Sequence, residues 1–275
     1  MFTDLHNHTS NFSPDASCDF KEMILGAKAA GLPRLAFTEH YELDYPHKDD
    51  PLCDLFDINA YVREFPSWKE YSSSNGGPEL LMGIEFGYQS HLASDIDTIA
   101  GDYPFDVVLL SNHLFRNADI YLSDECYKLP VKGRHAEYIG VLAEMADKCH
   151  NYDVIAHYDY VNRYTSNANE TVLLSHCEKQ FENLFETLIA RDKALEINTR
   201  SIDKQMQKNS AFVMPDPEII KKYVDMGGKL ISLGSDSHNT STQGIHFMET
   251  ASYLKSLGVN EICYFKDRKV CLETI

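Results

Sequence analysis

Short apolar runs rich in β-branched and aromatic residues alternate along the chain with longer stretches whose apolar positions recur every three or four residues. Seven of the short runs predict strands: Phe2–His8, Arg34–His40, Leu80–Phe86, Asp106–His113, Val154–Tyr160, Ala194–Thr199 and Lys229–Ser235. Asp19–Ala30, Glu137–His150, Glu178–Arg191, Pro217–Met226 and Gly244–Ser256 predict helices between and after them. Boundary signals agree: Gly31 follows the first helix, Asp216-Pro217 opens the fourth, and Gly227-Gly228 closes it. Tyr61, Phe65, Trp68 and Tyr71 fall at helical spacing and predict core packing. Glu261–Leu272 predicts a hairpin around Asp267-Arg268. Strands alternating with helices predict parallel βα units. Periodicity alone does not choose between a closed barrel and a doubly wound sheet.

Length and composition narrow the picture. No repeat, linker or low-complexity stretch interrupts the 275 residues, which predicts one domain over 1–275; a single β/α barrel runs to roughly 250 residues. Apolar residues make up 43%, enough for a sizeable core. No run of apolar residues is long enough to span a membrane, and the opening Met1-Phe2-Thr3-Asp4 has no leader pattern. Seven scattered cysteines without a Cys-x-x-Cys pair argue against a disulfide framework and a thiolate metal site, and predict a reducing, cytoplasmic setting. The net charge of −17 predicts no nucleic-acid partner.

The candidate chemistry lies at the strand ends. In chain order these deliver His6-Asn7-His8, Thr38-Glu39-His40, Glu85, Asn112-His113, His157 and Gly234-Ser235-Asp236-Ser237-His238. The C-terminal ends of parallel barrel strands converge on one face. Alternation along a strand puts His6 beside His8, and Asp236 beside His238. Imidazole and carboxylate without thiolate suit Zn²⁺, Mn²⁺ or Fe²⁺. So many donors exceed what one four-coordinate ion can use, so the pattern predicts two or three ions, with Glu85 able to bridge.

His6-x-His8, Asp15, Thr38-Glu39-His40, Gly83-Ile84-Glu85, His113, His157 and Gly234-Ser235-Asp236-Ser237-His238, in this order, resemble the polymerase-and-histidinol-phosphatase (PHP) superfamily, and within it the histidinol-phosphate phosphatase branch. The resemblance implies a distorted TIM-like (β/α)7 barrel holding three divalent ions (Zn, Mn or Fe). One would take His6, His8, Glu85 and Asp236. A second would share Glu85 with His113 and His157. A third would take Asp15, His40 and His238, with Asp15 reached from the loop Asn11–Ser17. The implied activity is hydrolysis of a small-molecule phosphate monoester, L-histidinol phosphate, with a nucleotide or sugar phosphate as the alternative substrate. Glu85, Asp236 and His238 would form the catalytic core.

Phosphate-ester chemistry fits such a centre. A hydroxide held between two ions would attack phosphorus in line, with no protein nucleophile. The chain has no Gly-x-Ser-x-Gly elbow, and Asp95-Ile96-Asp97-Thr98 reads as a helix N-terminus capped by Ser94 rather than a phosphatase motif. Arg163 and Arg200 follow strands five and six, resemble the phosphate-contacting arginines of that branch, and are the expected phosphate contacts. Arg116 and Lys132 are lesser candidates. Glu196-Ile197-Asn198-Thr199-Arg200 suits a substrate-facing role, and the acidic loop 41–57 suits a lid, a contact to a substrate amine or a plain solvated loop. His47, His91, His135, His150, His176 and His246 read as surface or core residues.

Overall fold

Six parallel strands pair edge to edge, and the chain segment before the first of them joins the two free edges. The computed structural model describes residues 1–275. Its elements are α1 (Phe20–Ala29), β1 (Arg34–Tyr41), α2 (Ile58–Ser74), β2 (Glu79–Gly87), α3 (Ala93–Asp102), β3 (Val107–Ser111), β4 (Leu114–Phe115), β5 (Ala118–Asp119), α4 (Val131–Lys148), β6 (Val154–Ile155), α5 (Leu174–Ala190), β7 (Ala194–Asn198), α6 (Thr199–Gln207), α7 (Pro217–Asp225), β8 (Ile231–Gly234), α8 (Phe247–Ser256), β9 (Glu261–Lys266) and β10 (Lys269–Thr274). The parallel order is β1-β2-β3-β6-β7-β8.

Residues 4–8 bond to both β1 and the β8 side. Ala36 N donates to Asp4 O (2.8 Å) and Thr38 N to Asn7 O (2.8 Å), while Leu5 N donates to Leu233 O (3.1 Å) and His8 N to Ser237 O (2.9 Å). The ring is therefore a distorted seven-membered TIM-like barrel. The expected strand Phe2–His8 is not a regular one, because it pairs only at isolated bridges, Asp4 to Leu35 and Asn7 to Ser237. Asp4 is the cause: its carboxylate accepts from Ser235 N, Ser235 Oγ, Gly244 N and His6 N, which bends the segment off a straight ladder.

Strand alternation divides the core. Ala36, Leu81, Val107, Leu109, Val154, Ala156 and Ala194 fill the barrel with Leu5, Cys263 and Phe265. Leu35, Phe37, Ile84, Val108, Leu110 and Ile197 face outward into a larger cluster with the helices. Burying the outward residues against the helices supplies most of the folding drive, at about 25 cal/mol per Å² of apolar surface.

The β9–β10 hairpin closes the N-terminal end of the barrel. Its turn places Asp267 and Arg268 at φ 50° and 60°, the conformation a tight hairpin turn demands. Asp267 N donates to Asp106 Oδ1 (3.0 Å), and Arg268 Nε to Asp153 Oδ2 (2.5 Å). The opposite end stays open.

Several boundaries differ from expectation. β6 keeps only Val154–Ile155 of the expected Val154–Tyr160, because His157 turns to a positive φ of 20°. α2 and α6 are additional helices; α2 contains the predicted aromatic stripe and tolerates Pro66. Ser94 does not cap α3, which continues a 3-10 turn at Ser90–Leu92 and so has no free N-terminus there.

Candidate metal centre

Inward positions at the open end hold polar groups in place of the aliphatic layer below. On β1 these are Thr38 and His40; on β2, Glu85; on β3, Ser111; on β7, Glu196 and Asn198. His6 and His8 come from the ring-closing segment 4–8, and His113, His157, Asp236 and His238 from the chain that leaves the ring at the same end.

Glu85, fully buried, is the hub. Its Oε2 lies 3.2 Å from His6 Nε2, 3.6 Å from His8 Nε2 and 2.8 Å from His40 Nδ1. Its Oε1 lies 3.2 Å from His113 Nε2 and 3.0 Å from His157 Nε2. Asp236 Oδ1 sits 3.4 Å from His8 Nε2 and 3.9 Å from His6 Nε2. A third grouping forms at the rim, where Asp15 Oδ2 is 2.8 Å from His238 Nε2 and 3.6 Å from His40 Nε2. The nine donors expected from the sequence thus meet in one place. His157 and Asp236 both hold positive φ, 20° and 50°, a strained backbone that the surrounding contacts must maintain.

Several of these atoms suit a cation better than a hydrogen bond. His6 Nε2, His8 Nε2, His40 Nδ1 and Glu85 Oε2 are buried without a hydrogen-bond partner, although a buried polar group normally has one. His8-His40-His238, His6-His8-Glu85, His6-His157-Asp236 and Glu85-His113-His157 each offer three donor atoms within 4.8 Å of one another. The donor set fits Zn²⁺, Mn²⁺ or Fe²⁺.

Charges are strongly coupled. Burial alone would raise the Glu85 pKa; His6, His40 and His113 override it and hold the carboxyl well below its usual range. Burial likewise opposes ionisation of Asp236, and Arg163, Arg200 and His6 override it. Burial, then His40 and His238, push His8 well down, so its ring is neutral. Burial favours neutral His113 too, but Glu42 and Glu85 raise it to about 10. Protons therefore compete with cations for these lone pairs.

Carboxylates behind the cluster hold the outward ring nitrogens. Glu196 Oε1 accepts from His6 Nδ1 (2.8 Å), and Glu42 Oε1 from His113 Nδ1 (2.7 Å). Gly234 and Gly87 make room for them, since a Cβ at either would overlap Glu196 or Glu42. Glu196 is therefore not the substrate-facing residue expected: it is buried and also accepts from His157 N (2.7 Å). The sequence signal for both lies in alternation: Glu42 follows His40 by two residues, and Glu196 precedes Asn198 by two.

Over the cluster opens a cleft of about 360 Å³. Arg163 and Arg200 border it with Asp15, His40, His113, Asp236 and His238. Arg163 is buried, paired to Asp236, and donates from Nη2 to Asn198 Oδ1 (3.0 Å). Arg200 is partly exposed and bonds Asp236 O (2.9 Å) and His238 Nδ1 (2.7 Å) through Nη1. Glu42, Tyr45, Asp50 and Leu52 bring the loop 41–57 to the cleft wall, facing Asp119, Tyr121 and Tyr164. Arg116 instead pairs with Glu137 on the surface, and neither it nor Lys132 borders the cleft. His91 and His246 pair with Asp44 and Asp203, and His135 Nδ1 lies 2.9 Å from His176 Nδ1.

The PHP domain family model matches residues 4–200. A probable histidinol-phosphatase of Clostridium acetobutylicum is 28% identical over 97% of this chain and 98% of its own. A histidinol-phosphatase of Lactococcus lactis is 27% identical over 97% of this chain and 95% of its own. Among solved structures, a histidinol phosphate phosphatase of Lactococcus lactis, complexed with zinc, L-histidinol and phosphate, superposes with a TM-score of 0.84 at 24% identity, covering 98% of this chain and all of that one.

Proposed function

The chain belongs to the PHP domain family, and from that membership we propose that it is a metal-dependent phosphomonoester hydrolase acting on L-histidinol phosphate. The observation that carries the reading is the convergence of five imidazoles on the two oxygens of Glu85. The names of the curated relatives support the substrate.

Residues 1–275 form one catalytic domain in this reading. Three ions would divide the donors as His6, His8, Glu85 and Asp236; Glu85, His113 and His157; and Asp15, His40 and His238. Zinc is the favoured metal, as in the solved relative, with manganese or iron as substitutes. Divalent ions held here would supply the Lewis acidity that makes a nucleophilic water available at neutral pH and offsets the phosphoryl charge.

The chain's own groups do the rest. Arg200 uses only Nη1 on protein groups, which leaves the rest of its planar fork to grip a phosphate oxygen. Arg163, buried and fixed by Asp236, Asn198 and Ser201, holds a permanent positive charge beside the same oxygens. Glu196 and Glu42 keep His6 and His113 in one orientation. The acidic wall of Glu42, Asp50 and Asp119, with Tyr121 and Tyr164, suits a substrate whose organic end is cationic and aromatic. Seven free thiols support a cytoplasmic setting, and no helix is long and apolar enough to cross a membrane.

The test is phosphate release by the zinc- or manganese-loaded protein. L-Histidinol phosphate should exceed p-nitrophenyl phosphate and nucleotides in kcat/KM by at least about a hundredfold, well within the roughly 10⁴–10⁵ that buried polar recognition allows. Equal rates would remove the substrate assignment, and no phosphate release from any ester would remove the activity.

A further inference from the structure

A carboxylate stands behind three of the inward imidazoles, and for one of them the connection is indirect. His6 and His113 meet Glu196 and Glu42 directly. His8 Nδ1 instead lies 3.4 Å from Ser13 Oγ, and Ser13 Oγ lies 2.6 Å from Glu39 Oε2. Glu39 is fully buried in the position next to His40. Its oxygens accept from Thr9 N (3.0 Å), Thr9 Oγ1 (2.6 Å) and Ser13 Oγ.

Donor accounting fixes where the protons lie. Ser13 Oγ is the donor to Glu39 Oε2, and a serine hydroxyl has one proton to give. The Ser13 proton points to Glu39. The lone pairs of Ser13 Oγ take His40 N (3.1 Å) and the hydrogen on His8 Nδ1. The opposite tautomer would turn a His8 lone pair onto the serine oxygen. With the hydrogen on Nδ1, Nε2 is a bare lone pair, and it faces Asp236 Oδ1 and Glu85 Oε2 at 3.4 and 3.6 Å without hydrogen bonding.

We propose that Glu39, acting through the Ser13 hydroxyl, is a positioning residue that fixes His8 in the Nδ1–H tautomer and presents Nε2 to the ion shared with His6, Glu85 and Asp236. The inference rests on the reading of the cluster as an ion site. It extends to a side chain that touches no ion the pattern already seen at Glu196 and Glu42. Outer partners of ligating histidines tune metal affinity by about ten- to a hundredfold. A purely structural Glu39 would anchor the turn at residues 9–13 through Thr9 and leave His8 unaffected.

Two variants separate these roles. Ser13→Ala breaks the relay and keeps both Thr9 bonds to Glu39. Thr9→Val removes one anchor and keeps the relay. Zinc affinity is measured by competition with a chromophoric chelator, beside thermal unfolding of the zinc-free protein. Ser13→Ala should weaken one zinc equivalent about ten- to a hundredfold, while Thr9→Val lowers the unfolding midpoint and leaves zinc affinity intact. Nitrogen-15 spectra of histidine-labelled, zinc-free wild type should show hydrogen on His8 Nδ1, a tautomer that no bound ion imposes there, which keeps the relay testable even if Ser13→Ala does not fold. Wild-type zinc affinity in folded Ser13→Ala, an equal zinc loss in Thr9→Val, or hydrogen on His8 Nε2 would overturn the relay. Wild type that takes up no zinc would instead sink the ion-site reading beneath it.

Discussion

Glu196→Gln isolates one hydrogen on one ring. Both Glu196 oxygens are engaged: Oε1 accepts from His6 Nδ1 at 2.8 Å, and Oε2 accepts from His157 N at 2.7 Å and Asn198 Nδ2 at 3.0 Å. Glutamine has the same shape but a single carbonyl oxygen. If that oxygen faces His6, the amide N–H₂ is forced against two donors, and a buried backbone N–H is orphaned at a cost of about 1–3 kcal/mol. If it faces His157 and Asn198, the amide donates to His6 Nδ1, and only the imidazole needs to change tautomer. The second arrangement wins because a ring can move its proton and a backbone N–H cannot. It puts a hydrogen on His6 Nε2, where Glu85 and Asp236 sit 3.2 and 3.9 Å away. Zinc affinity should fall about ten- to a hundredfold, or about 1.4–2.7 kcal/mol. The unfolding midpoint of the zinc-free protein should move little. Turnover should drop by up to roughly 10⁴, the loss seen when a catalytic imidazole is held in the wrong tautomer. The assay is zinc per chain after graded chelation, paired with phosphate release. Full zinc content with turnover within twofold of wild type would refute the tautomer argument.

Three further outcomes can be checked. Arg200→Ala should lower kcat/KM for a phosphate ester by about ten- to a hundredfold, the worth of a charge-assisted hydrogen bond of roughly 1.5–3 kcal/mol, and should weaken inhibition by inorganic phosphate; an unchanged inhibition constant would take the phosphate away from Arg200. Chelation should lower the unfolding midpoint by roughly 5–10 °C, since a ligand at 100 times its Kd stabilises by about 2.7 kcal/mol; zinc should restore it, and a midpoint indifferent to chelator would count against bound ions. Burial, with Arg134 and His176 as lesser opponents of its charge, lowers the His135 pKa to about 4. The native state therefore holds fewer protons at His135 than the unfolded chain between about pH 6.5 and pH 4. Stability from this residue is fully present above that window and lost as pH falls through it, by up to about 2 kcal/mol at pH 5. Urea midpoints at pH 7 and pH 5 should converge in His135→Gln, and an unaltered pH difference would exclude His135 as the source.

Strand ends carried the legible part of the site. A donor at the C-terminal end of a parallel strand has little choice of direction, so His40 on β1 and Glu85 on β2 were readable from position alone. The start of α7 was readable too, because Asp216 accepts from Glu218 N as its position before Pro217 implies, whereas Asp19, read as helical, caps α1 from outside it. The supporting layer was less visible. Glu42 and Glu196 look like any strand acid until the register sets each behind an imidazole that comes from elsewhere in the chain. The short β6 was hidden because His157 breaks extension at the same residue that supplies a donor. α2 was under-read because Pro66 interrupts a pattern that tertiary packing of Tyr61, Phe65 and Trp68 restores. Arg163 follows strand five at the open end, yet its engagement with Asp236, Asn198 and Ser201 is a tertiary fact that local pattern cannot carry.

The seam between residues 4–8 and the Ser235–His238 turn joins opposite ends of the ring. During synthesis the His-x-His pair emerges early and must wait for almost the whole polypeptide before Asp236 exists to meet it. A ribosome stalled before β8 would release a product with an open ring and an incomplete pocket, however well its helices had formed. Completion of the group that joins His6, His8 and Glu85 to Asp236 is thus a late event, available only to finished molecules, and contacts so distant in sequence make the ring slow to close.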